Sequence, residues 1–338
     1  MIVGIGIVLF MVLLFAVKSV SADTLFGFGA GTYTKTSDNE CDMPYRLFIP
    51  AGYSSQKKYP LVVFFHGMGE CGSDNRLILT NAKWYADRIP KAFASPEKQA
   101  KFPHFIVAAQ VPVDEQWVDV SWENGSYSIT KTPVSDQMTT AIAIVKKLAA
   151  EFPIDMNRIY AVGLSMGGYG AWDAIMRFPQ LFAAAIPVAG GGDPTQASKI
   201  ADIPVWAFHS LGDIRVKVEG TQEMIAAMKK AGANPKYTEY PKAIGHKETW
   251  LEMSKNLEWI DWLFAQSKVS THANPIIYTP VSAYKNSVSP QCRYLANGRF
   301  LKSWQMPAQA TIATQISIES ESSSLQFLSH RRPLRQAR

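Results

Sequence analysis

The chain has 338 residues, of which 47% are hydrophobic, enough to bury a core in one large α/β domain or two small ones. Its formal net charge of +6 sits in residues 269–338, where eight Lys and Arg face two Glu. The rest is neutral overall, which leaves no basic footprint for a nucleic-acid partner, and no CxxC, HxxxH or HExxH pattern points to a metal.

In chain order, Ile2 to Val17 is an uncharged apolar run ending at Lys18. Val20-Ser21-Ala22 then offers the small residues that signal peptidase reads, with cleavage before Asp23. A spanning helix needs about 20 apolar residues, and this run is shorter. Residues 1–22 are therefore expected to be a signal peptide, and the protein secreted or periplasmic. The absence of Lys and Arg ahead of the run keeps an uncleaved N-terminal membrane anchor as the alternative. Export permits disulfides. Of Cys41, Cys71 and Cys292, the first two are the expected pair, because Cys292 lies in the C-terminal segment; no disulfide at all is the alternative.

Residues 42–50 read as a strand closed by Pro50. Tyr59 to Phe65 is a continuous apolar run, the pattern of a strand buried on both faces. Phe105 to Gln110 is another. Residues 138–152 place apolar side chains at helical spacing, and Arg158 to Leu164 returns to strand. Ala171, Ala174, Ile175 and Phe178 repeat the helical period. Ala183 to Ala189 and Val205 to His209 are strands, Thr221 to Ala231 a helix stopped by Gly232, and Lys236 to Tyr240 a strand. Trp250, Met253, Leu257, Ile260 and Phe264 mark one last amphipathic helix. Strands alternating with helices predict a mostly parallel central sheet with helices on both faces. Beyond Lys268 the sequence is rich in Ser, Gln, Thr and Pro without a period, so 269–338 is expected to be a disordered basic tail, capable at most of weak contact with an anionic surface. The catalytic domain is expected over 23–268.

Gly163-Leu164-Ser165-Met166-Gly167 is a GxSxG motif between a predicted strand and a predicted helix. That context lifts a serine hydroxyl above the sheet on a sharp turn, as in the α/β-hydrolase fold. A serine needs a base to take its proton, and in this fold the order along the chain is Ser, acid, His. Of the histidines after Ser165, His272 and His330 lie in the tail and His209 sits on a strand end with only Asp193 as an earlier acid. His246, in a loop after the last strand, is the expected base. Asp213, one strand before it, is the expected acid, with Asp193 as the alternative. Phe64-Phe65-His66-Gly67-Met68-Gly69-Glu70 follows an early strand. Its Met68 N–H, with that of Met166, is expected to face the oxyanion. His66 reads as a brace for the loop, with no proton-transfer role. Trp117 and Trp122 are expected either to wall the substrate or to pack in the core.

The stretch from about 42 to 265 resembles the lidless esterases related to polyhydroxybutyrate depolymerases, feruloyl and acetylxylan esterases and the neighbouring "predicted peptidases". HGMGECGSDN resembles that group's HGxGExGxDN loop, and the segment 154–193 is similar over the elbow and beyond. The Asp213 and His246 loops fit its HxxxD and GH motifs. Two departures are the His246-to-Trp250 spacing, one residue longer than HxxW, and Cys71 where Arg is common. The resemblance implies an α/β-hydrolase domain without a large cap that cleaves bulky or polymer-linked carboxylic esters through an acyl-enzyme, with no cofactor. A serine peptidase of the same fold and a catalytically silent binding module are the alternatives.

Overall fold

Tyr59–Phe65 is buried along its whole length in the computed structural model, which describes residues 23–268. Its alternate side chains point to opposite faces: Leu61, Val63 and Phe65 join one core cluster, Val62 and Phe64 the other. This strand is central, and both faces of the sheet are covered around it. The expected leader 1–22, the tail 269–338 and Cys292 lie outside the described residues.

The strands are β1 (Thr24–Leu25), β2 (Phe28–Tyr33), β3 (Met43–Phe48), β4 (Tyr59–Phe65), β5 (Phe105–Ala109), β6 (Ile154–Leu164), β7 (Ala184–Val188), β8 (Trp206–Ser210) and β9 (Lys236–Tyr240). The helices are α1 (Leu77–Thr80), α2 (Arg88–Phe93), α3 (Pro96–Lys101), α4 (Asp136–Glu151), α5 (Met166–Arg177), α6 (Glu219–Lys230), α7 (His246–Met253) and α8 (Glu258–Phe264). The sheet runs β1-β2-β3-β5-β4-β6-β7-β8-β9. β1, β2, β3 and β5 pair antiparallel in turn, and every pairing from β5 to β9 is parallel. Parallel neighbours require crossovers. Residues of α4, α5 and α6 such as Val145, Trp172 and Met228 cover one face; Phe93, Trp250 and Leu263 of α2, α7 and α8 cover the other.

The β1–β2 hairpin and helices α1–α3 were not legible from periodicity. The single last helix expected over 250–264 is two: α7 stops at Met253, and α8 restarts after Asn256 accepts the Glu258 N–H at 2.9 Å. The expected Cys41–Cys71 pair is not formed. Cys41 packs on α4 with Sγ 3.5 Å from the Thr140 hydroxyl, while Cys71 Sγ lies 3.8 Å from Met68 Sδ. Between β7 and β8 there is only a 3-10 stretch, Pro194–Ile200, and no inserted cap.

All parallel strands point their C-terminal ends to one edge, so the turns after β4, β6, β8 and β9 meet there. The turn after β6 is the tightest. Ser165 sits at φ 57° and ψ −122°, a left-handed position costly for a residue with a Cβ. The backbone on either side packs so closely that side chains are excluded. A Cβ on Gly163 would lie 2.0 Å from the Gly167 carbonyl oxygen, and one on Gly167 would lie 1.9 Å from that of Phe65. Neither partner is a side chain that could swing away. Gly167→Ala is therefore expected at or beyond the upper end of overpacking costs, about 3 kcal/mol. For a domain of this size that lowers Tm by at least about 6 °C. A thermal melt within about 2 °C of wild type would contradict this account of the turn.

Candidate active site

Ser165 immediately precedes α5, and its hydroxyl lies 2.8 Å from His246 Nε2. His246 begins α7, and its Nδ1 lies 2.6 Å from Asp213 Oδ2. Asp213 follows β8 in a turn closed by its own N–H on the Ser210 carbonyl at 3.2 Å. The Asp213 side chain is wholly buried. Burial alone would raise its pKa, but hydrogen bonds from His209, His246 and the Val216 N–H outweigh that and hold the carboxyl well below its usual range. The carboxylate is thus charged beside an imidazole whose other nitrogen faces the serine. Trp250 stands one helical turn beyond His246 and turns its ring edge-on to the imidazole, with centroids 5.0 Å apart. The four-residue spacing thus puts both on one helix face.

The loop after β4 is held from several sides. His66 Nε2 accepts the Val111 N–H at 2.9 Å, so the proton of the neutral ring is on Nδ1, which donates to the Gly67 carbonyl at 2.6 Å. Burial lowers the His66 pKa to about 4, so it braces the loop as a neutral ring. Met68 opens a 3-10 turn and Met166 opens α5. Backbone N–H groups at such positions have no acceptor within their own helix.

Ser165, His246 and Met68 line one open cavity of about 640 Å³. Trp122 lines it too; Trp117 does not. Trp117 is fully buried, its Nε1–H donates to the His66 carbonyl at 3.0 Å, and its ring meets Phe65 edge-on. The substrate-wall reading of Trp117 is therefore corrected: it is a core residue that supports the loop. Asp193, the alternative acid, caps the Pro194–Ile200 stretch through the Thr195 N–H at 3.0 Å and takes the Ile129 N–H at 2.8 Å. His209 is fully buried, with Nε2 3.3 Å from Asp213 Oδ2.

Trp84, Arg215 and Ile214 line the cavity without having been singled out from sequence. The Arg215 guanidinium stands 4.9 Å over the Trp84 ring. Arg215 could have been suspected from its place two residues after Asp213. Trp84 lies in a segment with no periodicity and reaches the site only through the fold, its carbonyl accepting Trp250 Nε1–H at 2.6 Å.

The model of the Esterase family, described as "Putative esterase", matches residues 36–274. Among solved structures the chain is similar to a thermostable esterase, with 39% identity over 72% of this chain and a TM-score of 0.66. It spans 64% of that protein's length. A ferulic acid esterase is 16% identical over 70% of this chain and 98% of its own, with a TM-score of 0.52. The acylaminoacyl peptidase of Pyrococcus horikoshii is 17% identical over 73% and 44%, with a TM-score of 0.50. These last two share the fold. No curated protein matches the chain.

Glu70 also lines the cavity and is 1% exposed. Burial pushes its carboxyl up to about 8, against the pull of hydrogen bonds from Asn81 and the Gly67 N–H. A carboxyl whose folded pKa lies above its ordinary value of 4.5 is penalised in the folded chain once ionised. The stability it permits is complete below that ordinary value and is lost as pH rises through about 8. The melting temperature of the wild type should therefore fall between about pH 5 and pH 9 more steeply than that of Glu70→Gln. Parallel melting curves for the two proteins would rule this out.

Proposed function

The chain belongs to the esterase family, and from that premise we propose that it is a serine hydrolase of carboxylic esters working through an acyl-enzyme. The observation that carries this reading is the unbroken relay Ser165 Oγ, His246 Nε2, His246 Nδ1, Asp213 Oδ2, with spacings of 2.8 and 2.6 Å at the edge of an open cavity. In this reading His246 takes the Ser165 proton as Oγ attacks the ester carbonyl. Asp213 holds the ring in the tautomer with Nδ1 protonated and stabilises the imidazolium. The N–H groups of Met68 and Met166 receive the developing oxyanion. His246 then returns the proton to the leaving alcohol, and water repeats the sequence to release the acid.

The proposed substrates are bulky or polymer-linked esters. What supports this is the short β7–β8 connection, which leaves the cavity uncapped, and the wall formed by Trp84 and Trp122. We also propose that the protein is exported, on the strength of the apolar leader and the Val20-Ser21-Ala22 site.

Ser165→Ala should abolish turnover of p-nitrophenyl esters, methyl ferulate and acetylated xylan while the melt is unchanged. Any residual rate over water should be about 10³–10⁴-fold, from binding and the oxyanion contacts. Near-wild-type turnover in the folded variant would overturn the assignment. Asp213→Asn should lose on the order of 10⁴-fold in kcat, and Asp193→Asn far less. The opposite ranking would move the acid to Asp193.

A further inference from the structure

We propose that His209 is a positioning residue for the acid of the relay: its Nε2–H is a second donor to the same Asp213 oxygen that His246 uses. The proposal rests on the reading of Asp213 as that acid.

His209 is next to last in β8 and is fully buried. Its Nε2 stands 3.3 Å from Asp213 Oδ2 and 3.1 Å from the Val216 carbonyl oxygen. Both are acceptors, so the nitrogen between them carries a proton. Nδ1 lies 2.7 Å from the Thr221 hydroxyl, which lies 2.6 Å from the Gly190 carbonyl. The Thr221 hydroxyl has one proton: it either donates to Nδ1 or, donating to the Gly190 carbonyl, accepts from an Nδ1–H; the Asp213 side requires Nε2–H in both cases.

The consequence is a carboxylate held at both oxygens. Oδ1 accepts the N–H groups of Arg215 and Val216, each at 2.9 Å. Oδ2 lies 2.6 Å from His246 Nδ1 and 3.3 Å from His209 Nε2, and on this proposal accepts from both. Through Thr221, His209 is itself tied to α6. The oxygen that orients the base is thereby located by elements that do not touch substrate. Without His209, Oδ2 keeps one donor, and the carboxylate can tilt as His246 takes up the serine proton.

Asparagine at 209 reaches the place of Nδ1 but not of Nε2, whereas glutamine reaches Nε2. His209→Asn should lower kcat by about 10- to 100-fold, the worth of a hydrogen bond to a charged group, with KM changed little. His209→Gln should retain about tenfold more kcat than His209→Asn. In an Asp213→Asn background the cost of His209→Asn should shrink to less than about threefold, because the acid through which it acts is gone. A loss of the same size in both backgrounds would show a general structural role and overturn the proposal, as would no loss in the wild-type background. Nitrogen-15 NMR of the wild-type histidine side chains tests the same point without any variant having to fold. It should find His209 Nε2 protonated, and an unprotonated Nε2 would overturn the proposal. Either failure leaves the effects of Ser165→Ala and Asp213→Asn standing, so it is distinguishable from failure of the esterase reading.

Discussion

Gly167 lies directly against the Phe65 carbonyl, and the geometry of the site follows from that contact. It lays the start of α5 over the end of β4, so the turn bearing Ser165 and the loop that begins at His66 share a wall. β4 and β6 are parallel neighbours with Phe65 opposite Gly163, which fixes the register of the two turns. The left-handed conformation of Ser165 costs on the order of 1–3 kcal/mol and persists only because its surroundings over-determine it. Its N–H donates to the Val188 carbonyl at 2.9 Å, and its own carbonyl accepts the Gly168 N–H at 2.8 Å. Ser165 is thus clamped among β6, β7 and α5.

Around this clamp, the supply of hydrogen-bond donors decides the charge of each buried group. Asp213 meets burial with two imidazoles and two backbone N–H groups, and stays ionised. Glu70 is buried as well but has fewer donors, and burial wins. His66 is neutral because one nitrogen must accept from Val111 while the other donates to Gly67. Two of these three groups therefore serve as fixed parts of the scaffold, a brace and a charged anchor. The proton that moves in the proposed reaction is left to Ser165 and His246.

The elbow and relay residues were legible because their signals are local. GxSxG between a strand and a helix, a buried apolar run, and the order acid-then-histidine on successive strand ends each sit within a short window. What the sequence hid depends on long-range packing. Trp117 and Trp122 lie five residues apart in one loop, yet one is sealed under the His66 loop and the other faces the cavity. No periodicity separates them, because the connection between β5 and α4 has none. The break between α7 and α8 was missed because the apolar spacing of Trp250, Met253, Leu257 and Ile260 runs through it. At the restart Asn256 Oδ1 accepts the Glu258 N–H. His209 was set aside as a base for sound reasons. Its approach to Asp213 depends on a turn that bends back on the Ser210 carbonyl.

The antiparallel edge β1-β2-β3 lies far from the serine, but polar contacts connect it to the loop. Arg46 on β3 is fully buried, and an isolated charge there would cost several kcal/mol. It donates to the Asp23 carboxylate and carbonyl, both at 2.9 Å, and to the Asn75 carbonyl at 2.5 Å. Asn75 in turn donates through Nδ2 to the Tyr45 carbonyl at 3.0 Å and through its N–H to Gln110 Oε1 at 2.6 Å. Gln110 Nε2 donates to the Glu70 carbonyl at 3.0 Å and to Asp74 Oδ1 at 2.8 Å. This explains why the patterned loop HGMGECGSDN runs on past its glycines: Asp74 and Asn75 fasten its far end. Its near end is held through the buried His66, since Gly67 and Gly69 carry no side chain. The far end of the loop that lines the cavity is therefore positioned by polar contacts relayed from the edge strands, and the edge acts on the cavity through them.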